Sequence, residues 1–118
     1  MNFWKNLSSL PEWKSALESS SQKPVLVLKH STRCSISVMA LDRFNRNWKP
    51  EDAELFTPLY LDLLSYREIS NAIAADTGVE HQSPQAILLK DGIAVLSETH
   101  QAIRIENFRD KATEMANG

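Results

Sequence analysis

One cysteine, Cys34, stands in the string Lys29-His30-Ser31-Thr32-Arg33-Cys34-Ser35-Ile36-Ser37 and is the residue best equipped for chemistry. A thiolate attacks disulfides, whereas a neutral thiol does so poorly. Arg33 and His30 can add positive charge beside the sulfur, and Ser31, Thr32, Ser35 and Ser37 offer hydroxyl donors to a sulfur anion. Cys34-Ser35-Ile36-Ser37 has the form Cys-x-x-Ser. In a two-cysteine redox site the fourth position carries the resolving thiol, one helical turn from the first. Ser37 puts oxygen there, so any disulfide made by Cys34 joins it to another molecule. The competing expectation is a packed, inert cysteine, because isolated cysteines are often small buried hydrophobes. Neighbours such as Arg33 and Ser35 argue for the reactive thiol.

The elements that must position Cys34 follow from the hydrophobic pattern. Val25-Leu26-Val27-Leu28, between Pro24 and the polar His30-Ser31-Thr32, suits a strand buried on both faces. Val38, Leu41, Phe44 or Asn45, and Trp48 then recur at helical spacing until Pro50. Cys34 therefore lies where a buried strand becomes a helix. Four N–H groups at a helix start lack partners, and the helix dipole is positive there, so a thiolate is favoured over a thiol. A stabilised thiolate is also the better leaving group, which suits exchange.

Elsewhere, Pro11 to Ser19 predicts a first helix with Trp13 and Leu17 on one face. Leu55 to Leu63 predicts a strand in which Pro58 implies an edge position, a bulge or a start near Leu59. Ser65-Tyr66-Arg67-Glu68 has the form of a capping box, and Gly78 provides a left-handed stop for that helix. Ala86 to Lys90 and Ile93 to Ser97, joined by Asp91-Gly92, predict a β-hairpin. A last helix runs from about Ile105 to Ala116, with Ile105, Phe108, Ala112 and Met115 on one face. A strand–helix–strand crossover closed by a hairpin predicts an α/β, thioredoxin-like domain over 1–118, with a central mixed four-stranded sheet flanked by helices. In such a sheet a proline before the hairpin strand, here Ser83-Pro84, faces the cysteine when it is cis and presents the preceding backbone to a bound thiol.

Composition narrows the partners. Lys plus Arg number 13 against 15 Asp plus Glu, which leaves no basic excess for nucleic acid. No apolar run approaches a membrane span, and Met1 to Lys5 lacks a basic-then-apolar signal pattern. A lone cysteine fits the cytoplasm, where thiols stay reduced. His30, His81, His100 and Cys34 match no compact zinc spacing, so no metal is expected. Trp4, Trp13 and Trp48 read as packing residues, and Glu51, Asp52 and Glu54 as a solvated loop.

Lys29 to Ser37, Ser83-Pro84-Gln85 and Lys90-Asp91-Gly92 together resemble the monothiol bacilliredoxins, also described as YtxJ-like general-stress proteins, over nearly the whole chain. Thr99-His100 with Ile103 resembles a further segment of that family. The resemblance implies thiol–disulfide exchange with client proteins carrying bacillithiol or a similar low-molecular-weight thiol, as co-substrate and with no bound cofactor. It assigns Cys34 as nucleophile, Ser37 as the serine replacing a resolving cysteine and Pro84 as the cis proline. Thr32, Arg33, Ser35 and Ser83 then contact substrate. Ser35 departs from the family's usual proline after the cysteine. The alternative is a non-catalytic thioredoxin-like stress or interaction module whose cysteine is packed or passively oxidised.

Overall fold

The computed structural model describes residues 3–117; Met1, Asn2 and Gly118, including the first two positions of the stretch read for a signal pattern, lie outside them. In chain order the elements are β1 (Lys5–Asn6), α1 (Leu10–Ser19), β2 (Val25–His30), α2 (Ser35–Asn47), α3 (Asp52–Leu55) and β3 (Thr57–Asp62). They continue with α4 (Arg67–Thr77), β4 (Gln85–Lys90), β5 (Ile93–Thr99), a 3-10 turn (His100–Ala102) and α5 (Ile105–Asn117). The strands form one mixed sheet in the order β1-β3-β2-β4-β5. β1, β3 and β2 are parallel, while β4 runs antiparallel to β2 and β5 antiparallel to β4. The sheet thus has five strands and not four. The extra one, β1, is two exposed polar residues paired with Leu59 and Tyr60, too short to carry an alternating pattern.

All six residues of β2 are buried, which accounts for its continuous apolar run. Val25 and Val27 pack with Leu59, Leu61, Ile87 and Leu89 under Trp13 of α1 and Ile69 and Ile73 of α4. Leu26 and Leu28 face the opposite layer, with Phe44 of α2 and Phe108 of α5. Each such side chain contributes about 1.5–3 kcal/mol by leaving water. The hairpin turn is as its sequence requires, since Asp91 (φ 55°) and Gly92 (φ 74°) both take positive φ.

Several local expectations are corrected. Pro58 lies inside β3, which β1 flanks on one side and β2 on the other, and the strand starts at Thr57. The Thr57 N–H donates toward β2, to Pro24 O, while the Tyr60 carbonyl faces β1 and accepts from Leu7 N–H. By this alternation the missing N–H of Pro58 falls on the β1 side, ahead of the residues that β1 pairs, so no sheet bond is lost. The capping box does not form. Tyr66 is the N-cap of α4, and Ser65 Oγ instead donates to Asp62 Oδ2 while Leu64 N–H donates to Oδ1. Val38 is 47% exposed, and α2 buries Ser37, Ala40 and Phe44. Trp48 caps the C-terminus of α2 from outside and stacks on Phe3, with centroids 4.1 Å apart. Trp13 is buried, with its indole N–H donating to Asp76 Oδ2.

Asp52 is the largest departure from the expected solvated loop, being 1% exposed. Its carboxylate takes a bidentate pair from Arg109 (Nε to Oδ1 and Nη2 to Oδ2, both 2.8 Å) and accepts from Lys49 N–H at 2.8 Å. α3 is thereby tied to α5. Burial pushes the Asp52 carboxyl up, but the bonds from Arg109 and the Lys49 N–H outweigh it and hold the carboxyl below its usual range. A lowered native pKa means stability that is present above the unfolded value and is lost as pH falls through the native one. Asp52→Ala is expected to cost about 2–3 kcal/mol at pH 7, less than a fully enclosed pair because Arg109 can rehydrate. Calorimetry from pH 7 down to pH 3 should show the gap between the two proteins closing at the acidic end.

Candidate active site

β2 ends at His30, and Ser31-Thr32-Arg33 carries the chain to Cys34, the N-cap of α2. Cys34 has extended backbone (φ −107°, ψ 118°), donates its N–H to Ser31 O at 3.2 Å and accepts the first helical bond from Val38 N–H at 3.0 Å. Its thiol is partly exposed and occupies the position from which a serine or aspartate would usually cap the free N–H groups. Thr32, Arg33 and Ser35 surround it as exposed residues.

Ser37 has a different role from a hydroxyl donor to sulfur. It is fully buried, accepts from Ser31 N–H at 3.0 Å and lies 3.0 Å from His30 Nδ1. The hydroxyl therefore pins the cysteine loop to the last residue of β2. His30 is 3% exposed, and burial lowers its pKa despite the opposing effects of Asp62 and the Ser37 hydrogen bond. It is thus neutral at pH 7 and supplies no positive charge, contrary to the sequence expectation. Arg33 remains as an exposed cation on the loop.

The second half of the site comes from β4. The Ser83–Pro84 bond is cis, and Pro84 is buried. Lys29 pairs with Gln85 in the sheet, so Pro84 lies one step beyond that pair, beside the end of β2 that leads to Cys34. The Pro84 carbonyl accepts from His100 N–H at 3.3 Å, and the buried Ser83 Oγ has no partner among the described residues. The two motifs identified in sequence are therefore neighbours at one end of the sheet.

A buried polar group behind this end has no counterpart in the sequence reading. Lys29 is 0% exposed, with Nζ 3.4 Å from Ser70 O and 3.3 Å from His81 Nδ1. Burial lowers its pKa to about 8. Its cross-strand neighbour Gln85 donates to Glu80 O, while Oε1 has no partner among the described residues. The available signal was a lysine in phase with Val25 and Val27 on a face that packs against α4.

Two outcomes follow. Ser37→Ala leaves the Ser31 N–H without its buried acceptor and is expected to destabilise the fold by about 1–2 kcal/mol in urea titration. Lys29→Met is expected to raise stability at pH 7 by roughly 1–3 kcal/mol. The sign follows from the lowered native pKa: between pH 8 and about 10.5 the unfolded chain holds the lysine proton that the native one has lost. Wild-type stability should therefore gain on the variant as pH rises through that window in denaturant titrations.

Comparison with known proteins places this geometry. The family described as monothiol bacilliredoxin BrxC matches residues 5–108. A solved structure described as a candidate oxidoreductase with a thioredoxin fold is 33% identical, with a TM-score of 0.76 and coverage of 92% of this chain and 91% of that one. Thioredoxin from Malassezia sympodialis is 14% identical, with a TM-score of 0.72 and coverage of 94% and 89%. A poplar thioredoxin h is 15% identical, with a TM-score of 0.70 and coverage of 99% of each chain. The last two establish the fold alone. Family and fold agree on thiol redox chemistry, and the chain belongs to the monothiol bacilliredoxin family.

Proposed function

We propose that the protein removes bacillithiol, or a similar low-molecular-weight thiol, from mixed disulfides on client proteins through Cys34. The observation that carries this reading is the pairing of one partly exposed N-cap thiol with a buried Ser37 hydroxyl at the position of a second thiol. The Cys34 thiolate attacks the sulfur of the small thiol. A new sulfur–sulfur bond forms to Cys34 as the bond to the client breaks. The electron pair leaves on the client sulfur, which takes a proton from solvent, so the client is reduced and Cys34 is oxidised. A free small thiol, supplied from outside, then attacks the mixed disulfide on Cys34 and departs with the first as a symmetrical disulfide.

Thr32, Arg33 and Ser35 border the thiol and are suited to contacting the incoming disulfide. Ser83, ahead of the cis proline, offers backbone groups to it. Among those residues no helix is long and apolar enough to cross a membrane, and no cluster of three metal-ligating side chains occurs. A working location in the cytoplasm belongs to this reading, since a single exchanging cysteine needs a compartment that keeps thiols reduced.

Incubation with a client mixed disulfide, with no free thiol added, should give one adduct of the small thiol on Cys34 and a matching amount of reduced client by mass spectrometry. Cys34→Ser is expected to abolish both. If the Cys34→Ser protein still strips the client, the mechanism is wrong. If wild-type Cys34 alkylates only on unfolding, the non-catalytic module is the better description.

A further inference from the structure

Starting at Ile36, two residues beyond Cys34, the first turns of α2 face the turn His100–Ala102 across a small cavity of about 50 Å³. Ile36, Met39, Arg43, His100 and Gln101 line it, and none of them is acidic. Arg43 donates through Nε and Nη2 to Ile103 O, at 3.3 and 3.0 Å, and through Nη2 to His100 O at 3.3 Å. These bonds fix the guanidinium in the wall and brace His100, whose backbone has φ 54°. Nη1, with two further N–H donors, has no acceptor among the described residues. His100 N–H donates to the carbonyl of cis Pro84, so this wall is continuous with the second half of the active site. Ile36 and Met39 are 43% and 65% exposed and form the apolar part of the cavity's rim.

We propose that this cavity binds the carboxylate end of the low-molecular-weight thiol that Cys34 exchanges, an inference that rests on the exchange reading above. The cavity has room for only a few waters, which suits a carboxylate better than a diphosphate. The guanidinium supplies a planar, charge-assisted donor to it, and His100 and Gln101 supply further polar groups. Reach sets the ligand's length. Arg43 is nine residues beyond Cys34, about 14 Å along the helix and about half a turn round it. The carboxylate must therefore stand several bonds away from the sulfur. Cysteine places its carboxylate too close, bacillithiol carries carboxylates across a sugar, and coenzyme A carries phosphates on a longer arm. Cysteamine carries no anion.

The test uses one reporter protein converted to mixed disulfides with bacillithiol, cysteine, coenzyme A or cysteamine, and measures the rate of transfer to Cys34. The expected result is a bacillithiol rate at least about fivefold above the cysteamine rate, the worth of a partly exposed charge-assisted bond. That ratio should fall toward one in Arg43→Gln and in Met39→Glu, rise in Met39→Lys, and shrink with added salt. Met39 is exposed, so its two variants report on charge even where Arg43→Gln disturbs the turn it braces. A ratio near one in the wild type, or a ratio unmoved by both Met39 variants, overturns the proposal while leaving exchange intact. Coenzyme A or cysteine transferring faster than bacillithiol overturns the carboxylate-and-length assignment. No transfer from any adduct overturns the exchange reading, and this proposal with it.

Discussion

The Ser37 hydroxyl, held between the Ser31 N–H and His30 Nδ1, fixes the turn on which the placement of Cys34 depends. β2 delivers the chain to this point from the centre of the sheet, buried on both faces. A strand ending inside a protein must find partners for the backbone groups that follow it, and here one side chain of the next helix supplies an acceptor. The consequence is positional. Cys34 cannot drift from the α2 N-terminus, because the loop before it is bonded to a residue one turn after it. His30 takes part as a neutral ring, and its burial beside Ser37 and Tyr60 excludes the solvent that would let it charge.

The second constraint is the antiparallel pairing of β2 with β4. Its register places Lys29 opposite Gln85 and therefore brings the cis Pro84 turn to the end of β2. The same pairing sends Lys29 and Gln85 to the α4 face, where each is left with few partners. The two faces of the sheet thus differ near the candidate site. His30 is bonded to Ser37 of α2 through Nδ1 on one side, while the other holds an amine whose pKa burial lowers to about 8. Packing elsewhere compensates for that cost, as the apolar layers around β2 are continuous from Val25 to Leu28.

Which parts were legible in sequence follows from how many residues each signal needs. β2, the Asp91-Gly92 hairpin, Gly78 as a helix stop and α5 each rest on a local pattern that packing reinforces. The Cys-x-x-Ser motif and Ser83-Pro84 were found as separate strings, and only sheet register makes them one site. Asp52 was misread because its partner, Arg109, lies 57 residues away and leaves no local trace. The capping box failed for a related reason: Asp62, at the end of β3, was already placed to accept from both Leu64 and Ser65. His30 was misjudged in charge, and Lys29 was passed over, because a residue's type does not reveal whether the strand end that carries it is covered.

A second thiol at position 37 would cost this structure a buried hydrogen bond. A buried hydroxyl accepts strongly from the Ser31 N–H, whereas sulfur is a weak acceptor. A cysteine at position 37 would give up part of that bond and leave a backbone donor poorly satisfied in a site with no solvent access. The position that in a two-cysteine site would close the disulfide is here committed to holding the loop. Cys34 can then be released from a mixed disulfide only by a thiol from outside. On the proposed reading, turnover depends on an approach path for that thiol, and Cys34 is partly exposed, followed on α2 by the exposed Ile36, Val38 and Met39.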